Sequence, residues 1–333
     1  MNDRVIVTRE PLNAETRLDL QDGPITPARR HYVRSHFAFP DPSRAISIGG
    51  AVRTERTISL AELRSLPART AAVTLECAGN GRSFLQPPAP GEQWQLGAVG
   101  TAEWTGVSLR SLLEPRGLSS AVVEILFRGS DSGSPPDLGR RIAFERSLPL
   151  GRALADDVLV AYAMNGADIP REHGAPVRLI VPNWYGMASV KWLAAVVAVE
   201  QPFRGFYQAD RYVIGDTPLS AMKPRAIIVG PLRPVDAGTS CVIRGYAWSG
   251  QGPIARVEVS TDGGATWRTA ELDAPVAPAA WREFRIEWTP AGGTFDLLAR
   301  ATDGTGDTQG LTDVRNALGY ANNAAQPVRI EAR

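Results

Sequence analysis

The stretch VTLECAGNGRSF, residues 73–84, joins two kinds of chain. Its first half is an apolar run ending at Cys77. Its second half is small and polar and is broken by Gly79 and Gly81. Apolar and β-branched residues suit a pleated strand, and glycines permit a tight turn that other groups can approach closely. The stretch therefore predicts a strand that stops at a thiol, followed by a loop without bulk. The chain has two cysteines, Cys77 and Cys241, so this placement asks for a reason. A lone cysteine at a strand end most often serves as a small buried hydrophobe. As a nucleophile it needs a base; the chain has three histidines, His31, His36 and His173, and no cysteine-hydrolase motif surrounds Cys77. A zinc site is poorly supported, because no pair of cysteines or histidines has CxxC or HxxxH spacing. A single thiolate also suits a metal whose other ligands belong to an organic cofactor, and a glycine-rich loop admits such a bulky group.

The rest of the chain bounds these options. Its 333 residues suggest about two domains of roughly 150 residues. Hydrophobic residues make up 44% and charged residues 21%, enough for sizeable cores. A net charge of +1 gives no global field for nucleic acid or an anionic membrane, so an anionic substrate must meet local charge. Two cysteines exclude a disulfide framework, although one Cys77–Cys241 bridge stays open. No run reaches the ~18 apolar residues of a membrane span. The opening MNDRVIVTREPLNAE lacks an apolar signal core, and Arg29-Arg30 leads into HYVRSHFAFP rather than an apolar stretch. The expectation is a cytoplasmic protein, periplasmic only as a processed form.

The first two thirds mix strands and helices. Apolar β-rich runs occupy 72–77, 122–127, 158–164, 177–181 and 195–199. SLAELRSL (59–66) opens with the capping-box pair Ser59 and Glu62 and stops before Pro67; SLRSLLEPRG (108–117) behaves similarly. Long Gly/Pro-rich connections such as QPPAPGEQW are of the kind that form sites on a rigid scaffold. The pattern predicts an α+β domain with a mixed sheet, not a regular βαβ series. From CVIRGYAWSG onward the chain alternates in short strands at 241–247, 255–260, 266–272, 282–288 and 294–301, with an Asp-Gly-Gly hairpin signal in STDGGATW. That spacing predicts an immunoglobulin-like β-sandwich. The boundary falls near 217–222, giving domains 1–218 and 219–333.

Several segments, in order, resemble the sulfite oxidase family of molybdenum-cofactor oxidoreductases. LECAGNGRSF resembles its cysteine motif and YVRSHFAFP (32–40) its arginine–x–histidine segment. WQLGAVGTAEWTGVSL (94–109), LVAYAMNGADIPREHGAPVRLIVPNWYG (159–186) and SVKWL (189–193) continue the match. WSGQGPIARVEVSTDGGATWRTAEL (248–272) and NALGYANNAAQPVRI (316–330) resemble the two ends of the family's dimerisation domain.

The resemblance implies a molybdopterin-binding catalytic domain followed by a sandwich that forms a homodimer. It implies that Cys77 ligates molybdenum, whose other sulfurs come from the pterin. His36, His173, Arg178 and Lys191 match residues that hold the phosphate-bearing cofactor, and Asp131 matches, loosely, an aspartate beside it. Guanidinium and ammonium groups suit a phosphate. Lys191, between Val190 and Trp192, is an odd residue for a solvated face. Arg34, Arg82, Trp94 and Tyr212 match the substrate pocket, where several cations meet the sulfite anion and a phenol helps move protons. Taken singly, each of these arginines and aromatics would be an ordinary surface or core residue; their shared context assigns them.

The sequence also departs from the family. Gly81 stands where many members carry a second arginine, Ser35 where asparagine is usual, Asn183 where glycine is common and Arg315 where tryptophan is typical. No arginine of the second domain is identifiable as a substrate contact. No CxxCH haem motif and no flavin-type GxGxxG is present, so electrons must pass to an external acceptor such as a cytochrome. The expected activity is oxidation of sulfite to sulfate. Its rival on the same scaffold is reduction of nitrate, another oxo-anion or a sulfoxide, and a non-catalytic binding protein is the alternative of another class.

Overall fold

In the computed structural model, residues 3–41, 43, 45–313 and 315–333 are described. Two five-stranded sheets build the first part of the chain. In one, Arg69–Glu76 pairs with Val99–Ser108, which pairs with Leu159–Met164; Ala167–Asp168 and Arg178–Ile180 flank the latter. In the other, the order is Arg56–Ser59, Ala45–Gly50, Leu193–Val199, Glu124–Gly133, Ile142–Pro149. Leu193–Val199 runs parallel to Ala45–Gly50 and antiparallel to Glu124–Gly133. The antiparallel bias and scarce helix match the reading of a mixed α+β sheet. The largest core lies between the sheets and includes Phe127, Val160, Leu179 and Val196.

Local signals hold at several points. Ser59 caps Leu60–Ser65, accepting from the Glu62 amide at 3.2 Å while the Glu62 carboxylate accepts from the Ser59 amide at 2.9 Å. Two unpaired amides of the first turn are thereby satisfied. The second helix is shorter than its pattern. Ser108 ends the strand Val99–Ser108, the α-helix spans Leu109–Leu113, and Pro115 lies in a 3₁₀ turn.

From Arg225 onward two four-stranded sheets pack face to face. Their shared core includes Ile243, Val257, Phe284, Leu297 and Ala301, each almost wholly buried. The run at 266–272 is not one strand. Arg268–Thr269 pairs with Ile254–Ser260, and Glu271–Leu272 pairs with Arg282–Trp288 in the opposite sheet. Buried Ala270 sits at the crossing, its amide on Val257 O at 2.9 Å, so one short run serves both sheets. An N-terminal hairpin, Arg4–Thr8 with Asn13–Thr16, carries no strong sequence signal. It is held to the first domain because Ala14 and Val33 exchange backbone hydrogen bonds at 2.9 and 2.8 Å. Among the described residues no helix is long and apolar enough to cross a membrane.

Candidate active site

Cys77 is the first residue past Arg69–Glu76, where pairing with Val99–Ser108 ends. Its amide still donates to Ala98 O at 2.9 Å, so the thiol leaves the sheet from a fixed backbone. The loop then folds back. The Asn80 amide donates to Cys77 O at 2.9 Å, while the Asn80 side chain bridges Glu76 Oε1 (3.0 Å) and the Ala98 amide (3.1 Å). Gly81 has φ +83°, and a Cβ there would lie 2.6 Å from Nη2 of Arg225. A side chain at position 81 would therefore meet the guanidinium of Arg225, which comes from the second domain.

A deep cleft opens beside the thiol. Cys77, Arg34, His36, Asp131, Tyr212 and, at the far end, His173, Arg178 and Lys191 line it. Strand ends and short turns supply them. Arg178 starts the strand Arg178–Ile180, His173 ends a 3₁₀ turn and Lys191 precedes Leu193–Val199. Two aromatic residues that flank or line the cleft hold left-handed backbone: Trp192 at φ 48° and Tyr212 at φ 57°. Such conformations are rare for bulky residues, cost on the order of 1–3 kcal/mol each, and cluster at functional sites.

The charges at the far end are packed rather than solvated. Arg178 donates to His173 O (2.8 Å) and Ser189 O (3.0 Å) and lies 4.8 Å from the Trp104 ring centre. Burial pulls its pKa down to about 10. Lys191 donates to Ser35 Oγ (3.0 Å) and Glu172 O (2.9 Å), so Ser35 here serves as a lysine acceptor. Burial, reinforced by repulsion from Arg178, pushes Lys191 well below its ordinary value. Burial also raises Asp131 to about 6, against the pull of Lys191, and its Oδ1 is buried with no hydrogen-bond partner among the described residues. Burial lowers His31 to about 3, against its hydrogen bonds to the Tyr32 and Gly100 backbone. An orphaned carboxylate oxygen asks for a hydrogen-bond donor and the cations beside it for an anion, so a guest carrying both N–H and anionic groups would satisfy the cleft.

At the thiol end, His36 Nε2 and Tyr212 Oη lie 2.7 Å apart. Burial, then repulsion from Arg34 and Lys191, holds His36 well below its usual value, so the imidazole is neutral. Burial raises the Tyr212 phenol, which keeps its proton beside that nitrogen. Arg34 is oriented by Ser35 O (2.5 Å) and Asn13 Oδ1 (3.2 Å). Burial raises the Cys77 pKa, opposed first by the Arg34 guanidinium. A metal would reverse that balance, because it binds the thiolate. The donor set therefore fits a metal–pterin cofactor: one thiol beside a glycine loop, buried cations for an anionic tail, and an unsatisfied carboxylate oxygen among them.

Residues 36–207 match the family model described as an oxidoreductase molybdopterin binding domain, and residues 221–333 match the Mo-co oxidoreductase dimerisation domain. The sulfite oxidase of Gallus gallus is 36% identical over 337 residues, covering 91% of this chain and 72% of that protein. The chain belongs to the sulfite oxidase family of molybdenum-cofactor oxidoreductases. The mitochondrial sulfite oxidase of Rattus norvegicus is 32% identical, with 65% of its length covered. An NADH nitrate reductase of Solanum lycopersicum is 31% identical, with 39% of its length covered. The chain thus spans only part of its relatives. The crystal structure of the sulfane dehydrogenase SoxCD from Paracoccus pantotrophus superposes with a TM-score of 0.86 at 28% identity, over 98% of this chain and 87% of that one. The two-part architecture is accordingly a molybdopterin-binding domain followed by an immunoglobulin-like dimerisation domain.

Within this sulfite-oxidase-family fold, the cleft brings together Cys77, Arg34, His36, Asp131, His173, Arg178, Lys191 and Tyr212. Two expected residues are not among those lining it. Arg82 is almost wholly buried and spends its guanidinium on Leu318 O (3.1 and 3.2 Å) and Glu92 O (2.9 Å), stacked over Tyr320. Trp94 is fully buried in the core behind Cys77. Sequence reasoning missed His31, Tyr32, Phe144 and Glu172 as wall residues. Three of them lie in or beside the quoted motifs, in RHYVRSH and REHG, and position in those motifs was the available signal. Phe144 had none.

Proposed function

We propose that this chain oxidises sulfite to sulfate at a molybdenum cofactor, as a homodimer of domains 1–218 and 219–333, and passes electrons to an external acceptor such as a cytochrome. The observation that carries the reading is the meeting, in one cleft, of the Cys77 thiol, the Arg34 guanidinium and the Tyr212–His36 pair, with buried cations behind them. The reaction removes two electrons from sulfite, takes oxygen from water and releases two protons. When bound, the cofactor supplies a metal that transfers an oxygen atom and accepts the electron pair.

The chain's residues do the rest. Cys77 would hold the metal; His173, Arg178 and Lys191 would hold the anionic tail, with Asp131 beside it. Arg34, aimed by Asn13 and Ser35, meets the substrate anion as a charge-assisted donor. Tyr212 keeps its proton on Oη beside neutral His36, and a proton that the pair takes up from water leaves His36 as imidazolium. Phe144 and Tyr212 supply an aromatic part of the cleft wall.

Nitrate reduction is the second reading. The similarity to nitrate reductases favours it, as does the burial of Arg82 away from the cleft, which leaves Arg34 as the guanidinium at the thiol end. Steady-state assays of sulfite with ferricyanide, and of nitrate with a reduced viologen, separate the two. Turnover of sulfite is expected; turnover of nitrate alone would replace this reading with its rival.

A further inference from the structure

Glu92 lies in the Gly/Pro-rich connection QPPAPGEQW, residues 86–94. Its carbonyl accepts from Arg82 Nη1 at 2.9 Å and from the Trp94 amide at 3.0 Å, so its backbone is pinned beside the cysteine loop. Its carboxylate is otherwise engaged. Among the described residues it makes one ion pair, with Oε1 3.9 Å from Nη1 of Arg34, and that separation is too long for a hydrogen bond. The Arg34 and Glu92 side chains are 23% and 19% exposed, so water screens the pair.

Arg34 does not need this carboxylate to stay in place. Its Nη1 already donates to Ser35 O at 2.5 Å and to Asn13 Oδ1 at 3.2 Å. Arg82 spends its guanidinium elsewhere, so Arg34 is the guanidinium that lines the thiol end. Glu92 therefore sets one negative charge beside that one positive charge. An anion drawn to Arg34 is repelled by Glu92, and the repulsion scales with the anion's own charge. At about 6 Å in water-like surroundings, it lowers the affinity for a singly charged anion about threefold and for a dianion about tenfold.

We propose that Glu92 is a specificity-determining residue: it offsets the Arg34 charge and lowers the cleft's affinity for an anion in proportion to that anion's charge. It thereby narrows the advantage of a dianion over a singly charged or neutral oxo-substrate. In sulfite oxidation its strongest effect falls on sulfate, the doubly charged product, whose release it favours. The proposal rests on the reading that the substrate anion meets Arg34.

Titration calorimetry of nitrate and of sulfate into the oxidised holoprotein, at low ionic strength, reads the effect without turnover. Glu92→Gln keeps the side chain's size and removes its charge. It is expected to tighten nitrate about threefold and sulfate about tenfold, with both shifts shrinking as salt is added. Unchanged or weaker binding of the two anions in a folded Glu92→Gln overturns the proposal. So does an equal tightening of both, which a change in the cleft's shape rather than its charge would produce. Arg34→Gln tests the underlying contact by itself: both anions are expected to bind less tightly there, sulfate more so, and unchanged binding overturns the contact and the proposal with it. The oxidised protein turns over neither anion, so a parent that fails to oxidise sulfite removes that activity while the binding series still decides the role of Glu92.

Discussion

Glu15 shows how a single buried group shapes the pH response of the molecule. Its carboxylate accepts from the Gln95 amide at 2.5 Å, yet burial outweighs the hydrogen bonds and raises its pKa to about 7. In the unfolded chain it ionises at its ordinary value of 4.5, so between there and about 7 the folded state holds the extra proton. Stability from this group therefore falls as pH rises through that window, by on the order of 3 kcal/mol, and is level above it. Glu15→Gln is expected to gain on the parent over that window and to show a constant difference at higher pH. Chemical denaturation at several pH values measures it; a gain that grows instead toward acid would contradict the burial argument. Sequence gave no hint of this group, since NAET reads as an ordinary polar strand and its burial comes from a distant loop. Cys77, by contrast, was legible, because the residues that make the site around it are packed into short, ordered motifs.

At the scale of elements, the strand Arg69–Glu76 delivers Cys77, and Glu76 locks its end. Glu76 Oε1 accepts from Arg225 (2.9 Å) and Asn80 (3.0 Å), and Oε2 accepts from Trp248 Nε1 (2.9 Å). Glu76 and Arg225 are both almost fully buried. Such a pair adds little net stability, but breaking it strands a buried charge, at about 3–5 kcal/mol. Glu76→Gln is expected to lower unfolding stability by that order and to reduce molybdenum content; a variant as stable as the parent would show that Arg225 finds another partner. The strand, its end and the loop were readable from local pattern. The lock was not, because Arg225 and Trp248 lie 149 and 172 residues away and nothing in the local sequence pairs them with Glu76. The crossing at Ala270 escaped for the related reason that a period-2 pattern does not say which sheet a residue joins.

Across the whole molecule, the second domain helps build the active site. Segment 316–323 docks on the cysteine loop: the Ala321 amide donates to Ala78 O at 2.8 Å, Asn322 donates to Gly81 O at 3.0 Å, and Leu318 O receives Arg82. Tyr320 stacks on Tyr212 with ring centres 5.0 Å apart. Arg82 thus acts as a fastener between domains. Arg82→Met is expected to cost about 1–3 kcal/mol of stability by leaving buried carbonyls unpaired, with little change in the Michaelis constant for sulfite. A rise of about tenfold in that constant, with stability kept, would mean that the guanidinium turns into the cleft during turnover. Domain order and the sandwich were legible from periodicity and resemblance; the direction in which Arg82 points depends on the docked second domain and was not.

The central claim is that Cys77 holds a molybdenum cofactor at which sulfite is oxidised. Molybdenum content and sulfite–ferricyanide turnover of the parent and of Cys77→Ser, both made in a cofactor-competent host, test it most directly. The account predicts near-stoichiometric molybdenum and sulfite turnover in the parent, and a folded Cys77→Ser without turnover. A parent free of molybdenum, or a Cys77→Ser that still oxidises sulfite, would contradict it.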